Sequence, residues 1–295
     1  MSKNSKKIKF AGLLTANKGL FRCPICSGEM ELNQETSLQC ASHHSFDLSR
    51  QGYVNVLSHG LKTKYDKQMF ESRRLLYKSG AFQPLIDQIS GKIIRTHESA
   101  RTPLKLLDAG CGEGSHLSGI REKVIQSLAH DFLGVGVDIA KEGIYLAARD
   151  YPNMIWCVAD IANCPFASKQ FHFILAILSP SNYAECQRML ADDGMVIKVI
   201  PESGYLQELR AIFYGQGDHR VYSNDNTLAR FSEAFELVES ERLRYKWALE
   251  EALVEPLVRM TPLTWGSTEE GVQRVLGMNL AEITVDLRIL YGKKK

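Results

Sequence analysis

The chain has 295 residues, of which 44% are hydrophobic and 24% charged, with a formal net charge of +2. That composition excludes a disordered or fibrous chain and suits one large α/β domain plus a small appended module. No apolar run approaches the ~18 residues that cross a bilayer, and the basic N-terminus lacks the apolar core of a secretory signal, so a cytoplasmic protein without a membrane partner is expected.

The charge is unevenly placed. Residues 1–78 hold 13 Lys and Arg against 6 Asp and Glu, whereas the rest holds 23 against 28. No acid precedes Glu29, while Lys3, Lys6, Lys7, Lys9, Lys18 and Arg22 are all basic. A basic front end on a mildly acidic body is expected to meet a polyanion. Residues 1–19 read as a basic tail, either solvated or in contact with that polyanion.

Residues 20–58 read as a metal module. Cys23 and Cys26 form a C-x2-C knuckle, Cys40 follows after 13 intervening residues, and His44 lies four positions further on. Three thiolates and one imidazole close a tetrahedral Zn²⁺ site with no vacant position, which makes it structural rather than catalytic. His43 is the neighbouring alternative; the C-x3-H spacing and the following Ser45-Phe46-Asp47 favour His44. The seven cysteines are odd in number, which argues against a disulfide framework. Residues 30–38 are expected to form a short ribbon.

Residues 59–101 read as a linker followed by helices. Residues 69–79 have helical character and carry Arg73, Arg74 and Lys78, read as a solvated face or an RNA contact. A second helix runs from Phe82-Gln83-Pro84 to Ile94, with apolar positions at three- and four-residue steps.

Residues 102–295 form the cofactor domain. An apolar strand at 104–107 ends in Asp108, and Ala109-Gly110-Cys111-Gly112-Glu113-Gly114 then leads into a helix from Ser115. The glycines are expected to allow a tight turn and close backbone approach to a ligand. Strands at 132–137, 154–159, 171–178 and 195–200 follow, the last after a turn at 190–194. Their tips carry Asp138, Asp160 and Ser179. Strands alternating with helices give a mostly parallel, doubly wound Rossmann-like sheet that binds ligands beyond its carboxyl ends. Asp138, roughly 20 residues past the loop, is placed to accept from ribose hydroxyls, and Asp160 from the adenine amine. Two late strands, near 235–247 and 282–291, flank a helical insert at 249–262.

The D-x-G-x-G-x-G loop resembles that of the class I S-adenosylmethionine methyltransferases. Over nearly its full length the chain resembles the RlmA-type 23S rRNA guanine-N1 methyltransferases. The likeness rests on Cys23-Pro-Ile-Cys26, His44-Ser-Phe-Asp47, Gln51-Gly-Tyr-Val-Asn55, Phe82-Gln-Pro-Leu85, the glycine loop, and Met260-Thr-Pro-Leu-Thr-Trp265. The resemblance implies transfer of a methyl group from S-adenosylmethionine to N1 of a guanine in a 23S rRNA hairpin near the peptide exit tunnel. It implies cofactor contacts by Phe82 and in the region of His219, which join Asp108, Gly110, Gly112, Glu113, Gly114, Asp138 and Asp160 of the loop and strand tips as the expected cofactor site. The segment Gly217-Asp218-His219-Arg220 is closer to the Gram-positive subgroup, which includes macrolide-resistance enzymes. The tip Leu178-Ser179-Pro180 departs from the aromatic-Ala-Pro that the resemblance leads one to expect.

Guanine N1 must lose a proton on methylation, and Asp160 and His219 are the candidate acceptors. The expected partners are the rRNA hairpin, flipped open at the target base, and a second copy of the chain as an option left open. Two alternatives stand beside this reading: a methyltransferase acting on a small molecule or protein, and a non-catalytic RNA-binding assembly factor. The basic front end is expected to carry RNA affinity, with residues from about Ser79 onward sufficient to bind cofactor.

Overall fold

The computed structural model describes residues 3–57, 65–98, 102–128, 131–214, 223–261, 263, 269–278 and 280–295. The expected basic tail is a helix, α1 (Lys3–Ala16). Its Phe10, Ala11 and Leu14 are buried, and Lys6 Nζ donates to the carbonyl of Arg149 in the cofactor domain. The apolar spacing 10, 11, 14 is helical, and burying that stripe outweighs the repulsion among the lysines on the other side.

The metal module is a three-stranded antiparallel sheet of β1 (Met30–Asn33), β2 (Ser37–Cys40) and β3 (Ser45–Asp47). The sequence reading found the ribbon but not β3. Next comes β4 (Val54–Asn55), which does not belong to the module's sheet. It pairs in parallel with a strand of the large sheet, Val54 opposite Cys157 and Asn55 opposite Val158. Gly52 makes this possible, because its φ is +87° and a Cβ there would stand 3.0 Å from the Lys6 carbonyl. The module is bound further by backbone hydrogen bonds from Arg22 N to Pro165 O (3.0 Å) and from Ala167 N to Leu20 O (2.8 Å).

Helix α2 (Lys67–Lys78) starts at Asp66, whose side chain accepts from Met69 N at 2.8 Å. It buries Met69, Phe70, Ser72 and Leu76. Helix α3 (Gln83–His97) opens with Pro84 in its first turn, where no N–H is missed, and buries Leu85, Ile86, Ile89 and Ile93. Both helices were expected from the sequence, and they pack on the cofactor domain. Of the linker read from residue 59, residues 59–64, with Lys62 and Lys64, lie outside the described residues.

The cofactor domain runs β5 (Leu104–Ala109), α4 (Ser115–Ser127), β6 (Phe132–Asp138), α5 (Lys141–Asp150), β7 (Ile155–Val158), β8 (Phe171–Ile177), α6 (Tyr183–Met189) and β9 (Leu190–Pro201). It continues with α7 (Gln207–Tyr214), α8 (Asp225–Ala234), β10 (Glu236–Ala248), α9 (Val254–Met260), α10 (Glu269–Leu276) and β11 (Glu282–Lys293). The large sheet has eight strands in the order β10-β11-β9-β8-β5-β6-β7-β4. β11 is antiparallel to both of its neighbours, and the other pairings are parallel. This is the expected class I fold, extended by β4.

The turn expected at 190–194 lies inside β9. Leu190 pairs with Phe171 and Met195 with Phe173, so the residues between them bulge out of the ladder. The strand order reverses between β5 and β8, which is where an open α/β sheet leaves a crevice for ligands.

Candidate active site and metal centre

The metal centre follows from two tight turns. Cys23 N donates to Gly28 O and Ser27 N to Cys23 O, at 2.7 and 2.8 Å, which folds the knuckle back on itself. Ser27 takes a left-handed φ of +61°. His43, also at +61°, turns the chain so that the next imidazole points inward. Cys23, Cys26, Cys40 and His44 thus present ligand atoms that all lie within 4.8 Å of one another; His43 is not among them. The Cys26 and Cys40 sulfurs are 3.6 Å apart, and His44 Nδ1 lies 3.5 Å from Cys23 Sγ and 3.4 Å from Cys40 Sγ. Ligands about 2.0–2.3 Å from a tetrahedral Zn²⁺ would sit at such separations. The Cys26 thiol is held down to about 6 by the Gly28 backbone N–H and by His44, so it leans towards the thiolate that binds metal. The donor set fits one structural zinc.

The second site is a cleft of about 1090 Å³ along the carboxyl ends of β5–β9, roomier than the 300–1,000 Å³ typical of small-ligand pockets. Of the residues expected to bind cofactor, Phe82, Asp108, Gly110, Asp138 and Asp160 line it. Gly112, Glu113 and Gly114 do not, and His219 lies outside the described residues. So do Pro262, Thr264 and Trp265 of the late motif.

The loop glycines answer mainly to packing against protein. All three have positive φ. A Cβ on Gly112 would meet Arg73 Nη1 at 2.9 Å and Phe70 at 3.2 Å; on Gly114 it would meet Trp156 at 2.5 Å; on Gly110, Ser179 Cβ at 2.6 Å. The expected approach of Gly112 to a ligand is therefore an approach to α2.

Asp138 pins this loop. One carboxylate oxygen accepts from Gly112 N and the other from Ala140 N, both at 2.8 Å. The cap position of α5 is Ala140, with no side-chain cap bond, and a carboxylate with about four acceptor positions keeps room for ribose hydroxyls beside these two bonds.

The cleft is electrostatically unbalanced. Asp108 is buried, and among the described residues its Oδ1 has no hydrogen-bond partner, nor has Glu113 Oε2. Burial, with Asp138 and Glu113 nearby, pushes Asp108 up to about 8. Burial also raises Glu113 and Asp138. The cation pulling all three back is Arg73. It lines the cleft, lies over the Phe70 ring at 5.8 Å, and has no carboxylate within ion-pair distance among the described residues. Arg73 is therefore neither a solvated charge nor an outward RNA contact, whereas Arg74, next to it, pairs with Asp150. Two buried acids and one half-buried acid around one guanidinium fit a ligand bearing positive charge.

Sequence reasoning also missed His116 and Lys198. His116 lines the cleft with Nε2 unpartnered, edge-on to Phe82 at 5.2 Å, and burial with Arg73 lowers it to about 3. Lys198 sits in the apolar run 195–200 of β9. A lone cation in such a run, or on the buried face of a helix as Arg73 is, was the available signal.

Comparisons with known proteins identify the family. The family model described as RlmA, N-terminal, matches residues 21–62, and a methyltransferase domain model matches residues 106–194. The chain is similar to a Bacillus subtilis protein provisionally named 23S rRNA (guanine-N(1)-)-methyltransferase YxjB, 42% identical over 282 residues, which cover 95% of this chain and 99% of that one. It is also similar to the 23S rRNA (guanine(748)-N(1))-methyltransferase of Streptomyces fradiae, 30% identical over 255 residues, 86% of this chain and 88% of that one. The solved structure of the plantazolicin methyltransferase BpumL in complex with SAH covers 79% of this chain and 92% of its own at 15% identity, with a TM-score of 0.45.

Two outcomes are expected. Metal analysis of the purified protein should give one zinc per chain, and Cys40→Ser should lose it; full zinc retention in that variant would rule out the four-ligand centre. Cofactor affinity should rise with pH up to about 8, the value to which Asp108 is pushed in the free protein. A bound ammonium group favours the carboxylate, so binding releases a proton, and affinity gains at most roughly tenfold per pH unit. Calorimetry with S-adenosylhomocysteine should show this slope in the wild type relative to Asp108→Asn. Equal pH dependence in the two would show that Asp108 does not meet the ligand's charge.

Proposed function

The chain belongs to the RlmA-type family of 23S rRNA (guanine-N1)-methyltransferases, and from that premise we propose that it methylates N1 of one guanine in a 23S rRNA hairpin lining the peptide exit tunnel. The cofactor is S-adenosylmethionine, whose sulfonium supplies an electrophilic methyl group. The observation that carries the reading is a row of strand tips. In the order β8-β5-β6-β7 the tips present Ser179, Asp108, Asp138 and Asp160. At ~4.8 Å per strand this row spans about 14 Å, enough for an extended nucleoside with a reacting group at one end.

In this arrangement Asp160 takes the adenine amine and Asp138 the ribose hydroxyls. Asp108 meets the cofactor's ammonium, with Arg73 on its carboxylate. Phe82 and His116 close the wall behind the amino-acid portion. Asp160 keeps one oxygen on Ala162 N at 2.8 Å and stands three strands from the β8 tip. That distance favours the adenine role over proton removal at guanine.

The cleft continues past Ser179 into a chamber bordered by Leu178, Pro180, Tyr183 and Arg230. A base flipped from its hairpin would enter there. The chain's contribution to rate is alignment: donor and acceptor are held in line on one rigid sheet edge. The basic residues left on the surface would hold phosphates, a contact that weakens with salt. Of the front-end charges, Lys6, Arg73 and Arg74 are committed internally. Cofactor binding needs α2 as well, so a chain beginning near Ser79 is proposed to lose it.

The direct test is rRNA from cells with and without the protein. N1-methylation removes a Watson–Crick donor, so reverse transcription should stop at one 23S guanine only in the first; identical profiles would defeat the reading. A second test isolates Arg73. Arg73→Met should weaken S-adenosylhomocysteine at least tenfold, in line with ~1.5–3 kcal/mol for a hydrogen bond to a charged group. It should leave 5′-methylthioadenosine, which lacks the amino-acid portion, within about twofold. Equal losses for both ligands would remove Arg73 from the carboxylate.

A further inference from the structure

Lys198 lies in the middle of β9 between Ile197 and Val199, both fully buried, and is itself only 5% exposed. A lysine in the core of a sheet is unfavourable unless its ammonium is paired or hydrogen-bonded. No carboxylate pairs with it among the described residues. Its Nζ donates instead to the carbonyl of Ser179 and, at 2.8 Å, to Ser181 Oγ. All its partners therefore lie on the turn that follows β8.

That turn is held from the other side as well. Ser179 Oγ donates to Ala109 O at 2.8 Å, at the start of the glycine loop. Ser179 Cβ lies where a side chain on Gly110 would have to go, 2.6 Å from that position. Between the two anchors the backbone is strained: Leu178 has φ +51°, a region that bulky side chains rarely adopt. Its N–H is held by Val199 O at 3.1 Å, next to Lys198. Leu178 is 38% exposed, a large apolar side chain facing the cleft. A continuous chain of bonds thus runs from the cofactor loop through Ser179 to Lys198, with Leu178 and Pro180 presented at its centre.

We infer that Lys198 is a positioning residue for methyl transfer: its ammonium fixes the Leu178–Ser181 turn as the rigid platform on which the acceptor guanine rests, in register with the cofactor loop. This rests on the reading of the cleft given above. Strained backbone persists only where its surroundings over-determine it, and here the over-determining contacts are a buried ammonium and a serine wedged against glycine. Leu178 supplies an apolar face at the position where an aromatic was expected, so rigidity of the turn substitutes for stacking area.

Among the described residues the titratable group facing Lys198 is the Cys186 thiol on α6, itself pushed up to about 12 by burial; the turn after β8 contributes the two serines and β11 the apolar Leu290. Burial brings Lys198 down to about 8. The charged form, which makes the stronger hydrogen bonds, is present below that pH and lost above it.

The test uses the full chain with S-adenosylhomocysteine for binding, and S-adenosylmethionine with a 23S rRNA hairpin transcript for single-turnover transfer. Lys198→Met should bind S-adenosylhomocysteine within about twofold of wild type. Its saturating transfer rate should fall on the order of 100-fold, the cost of a small misplacement, with the KM for RNA little changed. Lys198→Arg should recover much of that rate, and the wild-type rate divided by that of Lys198→Arg should decline as pH rises through about 8. If Lys198→Met does not fold, Ser181→Ala removes one anchor and should lower the saturating rate several-fold without changing cofactor affinity. Wild-type transfer rates in Lys198→Met, or in Ser181→Ala, would overturn the inference, as would a loss of cofactor affinity equal to the loss of rate. Failure of the wild type to methylate guanine N1 would instead defeat the functional reading itself.

Discussion

A carboxylate removed from water needs hydrogen bonds or an opposite charge, and at the cofactor cleft the buried Asp108 and Glu113 and the half-buried Asp138 share a single guanidinium. Asp138 is satisfied by Gly112 N and Ala140 N; Asp108 and Glu113 each keep an unpartnered oxygen. Among the described residues Arg73 is the cation that reaches all three, and it comes from a helix that precedes the sheet. Phe70 and Arg73 press on Gly112, which for that reason carries no side chain, and the carbonyl of Gly112 in turn allows none on Gly143 of α5, where a Cβ would sit 2.8 Å away. Loop, helices and strand tips are interlocked by one electrostatic shortfall, which a cationic ligand completes.

The proposed acceptor side is organised differently. Where the donor side uses charge, the turn after β8 uses geometry: a left-handed leucine, a wedged serine and a lysine whose partners are neutral oxygens. The asymmetry suits the chemistry. The cofactor is charged and must be bound; the guanine is neutral and must be aligned.

The zinc ligands were legible because metal geometry dictates sequence spacing, and the sheet because each strand ends in a residue type that strand interiors exclude. Asp108, Asp138 and Asp160 were read correctly as strand tips for that reason. What was not legible has physical causes. Arg73 looks like a solvated charge until the buried set Met69, Phe70, Ser72 and Leu76 fixes which face of α2 is inward. The helix α1 was hidden by its lysines, which obscure a three-residue apolar stripe. β4 has two residues, too few to show any alternation, and its Val54 and Asn55 acquire meaning only from the exposed edge they cover. The bulge at 191–194 carries turn-forming residues, so its composition pointed to a turn while tertiary pairing kept it in the strand.

The pairing of β4 with β7 also constrains how the molecule is made. Val54 and Asn55 leave the ribosome about a hundred residues before their partners Cys157 and Val158. The metal module closes on local contacts, so it can form early, but it has no sheet to join until β7 has been synthesised. During that interval α1 and β4 hold their apolar sides without a receptor, as slow long-range pairings require. Docking then covers the β7 edge of the sheet, so sheet completion, rather than metal capture, is the event that commits the two halves of the chain to one body.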